Sequence, residues 1–217
     1  MERKGKFITF EGPDGSGKST QMARLADHLT ALGFPVVATR EPGGTRIGDQ
    51  IRDILMGLKN TDLQPRTELL LFQASRAQHV QEVILPHLEQ GDLVLCDRFA
   101  DSTLAYQGYG YQLFAIEEIK PIIAFATSGL VPHLTLLLDI DAELGLRRRK
   151  GHAEWTRMDA YEQEYHQRVR QGYLEMARRE PQRWLIIDAS QPPDQVQAQV
   201  HLEVLEWLER VGFAPRA

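Results

Sequence analysis

One glycine-rich segment constrains the fold of this 217-residue chain more than any other feature. Residues 12–19 fit the pattern G-x-x-x-x-G-K-[S/T], with an apolar run at 7–10 before them and helical periodicity over 18–32 after them. Glycines let backbone N–H groups converge on phosphate oxygens, and the helix that follows presents its positive N-terminal end to the same anion. The sequence therefore predicts an α/β fold with an ATP or GTP site at this loop.

The residue types in the loop indicate separate roles. Lys18 is expected to reach the β- and γ-phosphates, and the Ser19 hydroxyl is expected to ligate Mg²⁺. The expected nucleotide contacts are Gly12, Pro13, Asp14, Gly15, Ser16, Gly17, Lys18, Ser19 and Thr20.

Strand-like and helical patterns alternate along the whole sequence. Apolar runs predict strands at 7–10, 36–39, 93–96, 134–138 and 184–187. Periodicity predicts helices at 18–32, 47–57, 66–90, 114–127, 159–179 and 194–210. Strands this apolar are usually covered on both faces, which is typical of a parallel sheet flanked by helices. Because no linker rich in Pro, Gly or Ser interrupts the pattern, we expect residues 1–217 to form one domain.

Composition and charge exclude several classes of protein. The net charge is −5, so we expect no nucleic-acid partner and no anionic membrane surface. Cys96 is the only cysteine, which rules out an intrachain disulfide. The N-terminal segment lacks the apolar core of a secretion signal, and turn residues at 127–133 interrupt the longest uncharged stretch. We therefore expect a cytoplasmic protein.

A phosphate-binding loop alone does not separate a switch GTPase, a mechanical ATPase and a small-molecule kinase. A GTPase reads guanine with Asn-Lys-x-Asp, and the only asparagine is Asn60 in Asn-Thr-Asp. A larger ATPase usually needs further domains. A small kinase needs a second pocket for its acceptor, positive charge to hold that acceptor, and a lid that excludes water.

Three features match the needs of a small kinase. Asp97 and Arg98 follow the third predicted strand, at the sheet edge where α/β proteins bind ligands. Phe72 and Arg76 lie four residues apart on one helix face, where a ring beside a guanidinium can clamp a nucleobase. A basic run at 147–152, with an arginine at 157, lies where a phosphate-closing lid is expected.

The sequence resembles the bacterial thymidylate kinases over almost its whole length. The matching blocks are residues 7–20, 39–45, 71–76 and 97–108, and the second and fourth blocks together are specific to that family. The resemblance implies a P-loop nucleoside-monophosphate kinase fold with a five-stranded parallel sheet and a short basic lid at about 147–158. It also implies transfer of the γ-phosphoryl group of MgATP to dTMP, giving dTDP and ADP, in a homodimer.

The resemblance further implies a set of site residues. Phe72 would stack on thymine, Arg76 would bond its O4, and Tyr106 would pack under the deoxyribose. Residues expected to bind dTMP are Asp14, Glu41, Arg52, Phe72, Arg76, Arg98, Thr103, Tyr106 and Gln107. Those expected to act in catalysis are Lys18, Arg98, Arg149 and Arg157, and those expected to hold Mg²⁺ are Ser19 and Asp97.

Two features depart from the family pattern. The loop positions 13–16 contain no arginine, which favours the branch of the family that takes its catalytic arginine from the lid. Arg149 and Arg157 are both candidates, and Arg157 fits the pattern slightly better. The other departure is Tyr111, where the family has an arginine after Gly110.

Two other hypotheses stay open. One keeps the fold and changes the acceptor to dUMP, UMP or another small phosphorylated compound. The second is a regulatory protein that uses ATP only to change shape, which the short chain disfavours.

Overall fold

A five-stranded parallel sheet forms the centre of the computed structural model, which describes residues 4–150 and 156–216. Its strands, in the spatial order β2-β3-β1-β4-β5, are β1 (Lys6–Glu11), β2 (Val36–Arg40), β3 (Leu93–Asp97), β4 (Leu134–Asp139) and β5 (Trp184–Asp188). All five predicted strands are confirmed, and with them the predicted α/β fold class.

Helices cover both faces of the sheet. They are α1 (Lys18–Ala31), α2 (Arg46–Met56), α3 (Pro65–His79), α4 (Leu85–Glu89), α5 (Ala100–Thr103), α6 (Ile116–Thr127), α7 (Ala142–Arg149), α8 (Gln163–Arg179) and α9 (Pro193–Arg210). Successive side chains of a strand point to opposite faces. Along β1, Ile8 and Phe10 accordingly pack in one core with α1 and α9, whereas Phe7 packs in another with Val80 and Ile84.

The predicted helix at 66–90 is interrupted. Between α3 and α4 lies a wider π-helical stretch, Val80–Ile84, in which the Leu85 N–H bonds to the Val80 carbonyl five residues back. Pro86 has no N–H to donate, and its ring clashes with the carbonyl four residues earlier, so the regular α-helical bonding cannot continue through this point.

Two helical segments were not predicted. The first is α5 with the π-helical stretch Leu104–Gly110, where two glycines weaken the helical pattern. The second is α7, which begins at an Asp141 N-cap whose carboxylate accepts from the N–H groups of Glu143 and Leu144. The basic run predicted as a lid begins in the last turn of this helix. Residues 151–155 of the predicted lid lie outside the described residues.

The parallel register brings several functional side chains to one edge of the sheet. The Arg98 N–H bonds to the Phe10 carbonyl at 2.9 Å, and the Glu41 N–H bonds to the Asp97 carbonyl at 2.9 Å. The carboxyl ends of β1, β2 and β3 therefore meet. Across the two described ranges, no helix has the length and apolarity needed to cross a membrane.

Candidate active site

The glycine-rich loop packs directly against α7. Gly15 has φ +77°, and a Cβ on it would lie 2.1 Å from the Gly145 carbonyl oxygen. A Cβ on Gly145 would lie 2.3 Å from the Asp14 carbonyl oxygen. Only glycine fits at either position, so the loop and the helix that carries the basic run are held in close contact.

Lys18 points back into the loop. Its Nζ donates to the carbonyl oxygens of Gly12 at 3.0 Å and Pro13 at 2.9 Å. Burial and the neighbouring Arg98 lower the pKa of Lys18 to about 8. The loop thus holds the Lys18 ammonium group among its own carbonyl oxygens. The phosphate oxygens of a bound nucleotide could take the place of these carbonyl oxygens as partners of Lys18.

Oxygen donors suited to magnesium lie beside the loop. The Ser19 hydroxyl donates to Asp97 Oδ2, which joins the first turn of α1 to the end of β3. The described residues contain no cluster of three or more His, Cys, Asp or Glu that could enclose a metal. Two protein oxygens fit Mg²⁺ that is bound together with a nucleotide, because Mg²⁺ keeps several waters and takes its other ligands from phosphates.

Arg98 lies between the loop and the second half of the site. Its Nη2 donates to Asp14 Oδ1 at 2.7 Å and to the Tyr106 hydroxyl at 3.0 Å, and Tyr106 donates to the other Asp14 oxygen at 2.7 Å. Burial alone would raise the pKa of Asp14, but Arg98 and Lys18 outweigh it and hold that pKa well below its usual range. These contacts orient the guanidinium before any ligand binds.

Glu41 and Arg76 form a buried ion pair, with Nε donating to Oε2 at 2.7 Å. The second oxygen of Glu41 lies 3.0 Å from His79 Nδ1, and His79 Nε2 lies 2.7 Å from the Thr39 hydroxyl. Glu41 therefore anchors Arg76 to the end of β2.

The remaining contacts of Arg76 join three elements. Its Nη1 donates to Gln73 Oε1 and to the Thr103 hydroxyl, both at 2.8 Å, and its Nη2 donates to the Phe99 carbonyl at 2.9 Å. Arg76 is 2% exposed, yet it contributes to the cavity wall. A buried guanidinium with fixed partners presents a rigid surface at this end of the cavity.

The two candidate lid arginines have different partners. Arg149 binds the buried Asp159 through two bonds, Nε to Oδ1 at 2.9 Å and Nη2 to Oδ2 at 2.7 Å. Arg157 binds Glu68 and donates from Nη1 to the Tyr161 hydroxyl at 2.6 Å. Arg149 lines the cavity, whereas Arg157 lies outside its wall. The structure thus brings Arg149, but not Arg157, to the loop.

These side chains surround a cavity of about 890 Å³. It runs from the glycine-rich loop to α3 and Leu104–Gly110, so it joins the two predicted halves of the site. Its wall contains Asp14, Gly15, Gly17, Lys18, Ser19, Thr20, Arg40, Glu41, Pro42, Arg52, Met56, Phe72, Arg76, Asp97, Arg98, Ser102, Thr103, Tyr106, Gln107, Arg148, Arg149, Thr156 and Met158. Every predicted acceptor-site residue is among them.

Two buried carboxylates that support the site were not predicted from the sequence. Glu11 is fully buried and accepts from the Phe99 N–H at 2.8 Å, the Ser102 hydroxyl at 2.6 Å and the Tyr173 hydroxyl at 2.8 Å. Glu68 is likewise fully buried. An acid at the end of an apolar strand signals such a role for Glu11, but nothing local marks Glu68.

Fold and site together define an α/β phosphotransferase of the P-loop nucleoside-monophosphate kinase class. A family model described as thymidylate kinase matches residues 10–200. The chain belongs to the thymidylate kinase family.

Comparison with individual proteins gives the same family. The thymidylate kinase of Roseiflexus sp. strain RS-1 is 51% identical, over 94% of this chain and 96% of the relative. The thymidylate kinase of Deinococcus radiodurans is 47% identical, over 94% of this chain and 98% of the relative. Among solved structures, the thymidylate kinase from Ehrlichia chaffeensis superposes with a TM-score of 0.74 at 36% identity, covering 94% of this chain and 99% of that one.

Proposed function

We propose that this enzyme transfers the γ-phosphoryl group of MgATP to dTMP, giving dTDP and ADP. An oxygen of the dTMP phosphate forms the new bond to the γ-phosphorus, and the bond from that phosphorus to the β–γ bridging oxygen breaks. The observation that carries the proposal is the continuous cavity, with a phosphate-binding loop at one end and Phe72, Arg76 and Gln107 at the other. Family membership supports the same acceptor.

At the donor end, the loop and Lys18 bind the triphosphate. The loop N–H groups and the N-terminus of α1 supply fixed positive potential, and Lys18 exchanges its carbonyl partners for phosphate oxygens. Ser19 and Asp97 hold Mg²⁺, which when bound neutralises charge on the phosphate oxygens.

At the acceptor end, Phe72 stacks on thymine while Arg76, Thr103 and Gln107 face the base edge. Tyr106 lies under the deoxyribose, held in place by its bond to Asp14. Arg52, whose Nη1 donates to the Pro42 carbonyl at 3.0 Å, grips the acceptor phosphate with Arg98.

In the centre, Arg98 stabilises the charge that moves between the two phosphates. The acceptor is already an anion, so the reaction needs no general base, and catalysis consists of positioning and charge neutralisation. Arg149 adds positive charge from the lid at about 147–158, because it lines the cavity next to the loop. Arg157 acts from the acceptor side, through Glu68.

We further propose that residues 1–217 work as a single kinase domain in a cytoplasmic homodimer. Exposed apolar side chains on neighbouring helices support a dimer: Ile54 on α2, Leu70 on α3 and Phe125 on α6 are 46%, 52% and 89% exposed. Sedimentation of the wild type and of Leu70→Glu tests this surface, since the charged variant should shift the dimer towards the monomer.

The test of function is ADP release with MgATP and a panel of dTMP, dUMP, UMP, CMP, AMP and GMP. We expect fast turnover with dTMP and weak turnover with dUMP. Turnover confined to another acceptor would replace dTMP, and tight ATP binding without turnover of any acceptor would favour the regulatory hypothesis.

A further inference from the structure

A single buried carboxylate connects the base end of the cavity to the lid segment. Glu68, in the first turn of α3, is 0% exposed. Its Oε1 accepts from Gln107 Nε2 at 2.8 Å, and its Oε2 pairs with Arg157 Nη2. The Tyr111 hydroxyl lies 3.0 Å from both oxygens. A charge buried this deeply needs such partners, since an unpaired carboxylate would be strongly destabilising.

The contact with Glu68 determines which way the Gln107 amide faces. An ionised carboxylate only accepts hydrogen bonds, so the amide nitrogen must face Glu68, and the reversed amide would set two acceptors against each other. The carbonyl oxygen is then the end of the amide that remains for a ligand in the cavity. An acceptor there matches the N3–H of thymine or uracil and mismatches the unprotonated N3 of cytosine.

The other oxygen of Glu68 determines where Arg157 lies. Arg157 also donates to the Tyr161 hydroxyl, which lies 2.6 Å from the Tyr111 hydroxyl. Glu68 binds Arg157 directly, and Tyr161 joins Arg157 to Tyr111, so these contacts hold the lid arginine beside the base end of the cavity. Burial and Glu68 raise the pKa of Tyr111, so its hydroxyl stays protonated and keeps donating.

Tyr111 cannot supply the cation that Glu68 needs. Its hydroxyl bonds to both Glu68 oxygens but is neutral, so it cannot balance the charge of the carboxylate. Among the described contacts of Glu68, the cation is Arg157. The lid of this chain is therefore tied to Glu68 by an ion pair.

We propose that Glu68 is a positioning residue that couples base selection to the lid: it orients the Gln107 amide for an N3–H donor and anchors Arg157. The inference rests on the proposed function, because it takes dTMP as the acceptor. It predicts that loss of the Glu68 charge changes the selection of the base without changing the ATP site.

The experiment compares Glu68→Gln with the wild type in steady-state kinetics, using dTMP and dCMP as acceptors. We expect the KM for dTMP to rise about tenfold, as for the loss of a charged hydrogen bond. The preference for dTMP over dCMP should fall by a similar factor, because the amide can now turn, and the KM for ATP should stay within about twofold. Equal losses with both acceptors, or an unchanged preference, would overturn the proposal.

A second variant keeps the proposal testable if Glu68→Gln does not fold. Tyr111→Phe keeps the ring and removes the hydroxyl bound to Glu68, and Tyr109→Phe, two residues away, is the matched control. We expect kcat/KM for dTMP to fall about threefold to tenfold in Tyr111→Phe and to stay unchanged in Tyr109→Phe. Identical behaviour of the two variants would overturn the proposal. A wild type that turns over no dTMP would instead refute the proposed function.

Discussion

Arg98 and Asp14 form an ion pair, 2.7 Å from Nη2 to Oδ1, that joins the end of β3 to the phosphate-binding loop. Arg98 adopts φ +69°, a left-handed backbone conformation uncommon for a residue with a side chain. The ion pair holds the side chains of Arg98 and Asp14 together at the point where the donor and acceptor halves of the cavity meet.

Removal of the Arg98 guanidinium should mainly affect catalysis. We expect Arg98→Ala to lower kcat by a factor on the order of 10²–10³, because the charge it supplies is most needed in the transition state. Arg24→Ala, which breaks the exposed pair with Asp194, is the control and should leave kcat unchanged. Equal kcat values for Arg98→Ala and the wild type would contradict this role.

Substitution of Arg149 and substitution of Arg157 should affect different kinetic constants. Arg149 lines the cavity near the loop, so Arg149→Ala should lower kcat about tenfold or more with little change in the KM for dTMP. Arg157 pairs with Glu68, so Arg157→Ala should raise the KM for dTMP more than it lowers kcat. The exposed Arg179, paired with Glu175 on α8 and outside the lid, is the control. The reverse pattern would give Arg157 the transition-state role.

The Glu41–Arg76 pair should contribute strongly to stability. Arg76→Ala leaves the Glu41 carboxylate buried without its guanidinium partner, which costs roughly 3–5 kcal/mol of unfolding free energy. Arg24→Ala should cost no more than about 1 kcal/mol, because its pair is exposed. Urea unfolding measures both, and equal midpoints for the two variants would show that the buried pair has no such role.

Glu11 should make stability fall as pH rises. Burial and the nearby Asp101 raise the pKa of Glu11 from 4.5 to about 7, so between these values the folded state holds a proton that the unfolded state has lost. The resulting stabilisation is complete below pH 4.5 and is lost as pH rises through 7. Glu11→Gln removes this dependence.

The measurement for Glu11 is the difference in unfolding free energy between the wild type and Glu11→Gln. From pH 5 to pH 8, the wild type should lose on the order of 2–3 kcal/mol of unfolding free energy relative to Glu11→Gln. A difference that stays constant over this range would mean that Glu11 is ionised throughout.

Much of the fold could be predicted because local patterns decide it. The apolar runs gave all five strands, and the loop fixed the order strand, loop, helix at the start of the chain. The π-helical turn before Pro86 was missed although that proline gives a local signal for it. The glycine-containing stretch Leu104–Gly110 could not be predicted, since tertiary packing there outweighs weak local propensity.

The sequence could place candidate site residues where residue types lie in known motifs, as at Lys18, Asp97 and Arg98. The ion pairs were not, because Glu68 and Arg157 are 89 residues apart, and only the fold brings them together. For the same reason the sequence could not separate Arg149 from Arg157. Their partners, Asp159 and Glu68, become apparent only in three dimensions.

Transfer of the phosphoryl group from ATP to dTMP can be observed through the phosphorus atoms themselves. Purified enzyme is mixed with MgATP and dTMP, and the products are followed by ³¹P NMR. We expect dTDP and ADP to appear in equal amounts and inorganic phosphate not to accumulate. Release of inorganic phosphate with ADP, and no dTDP, would contradict phosphoryl transfer to dTMP.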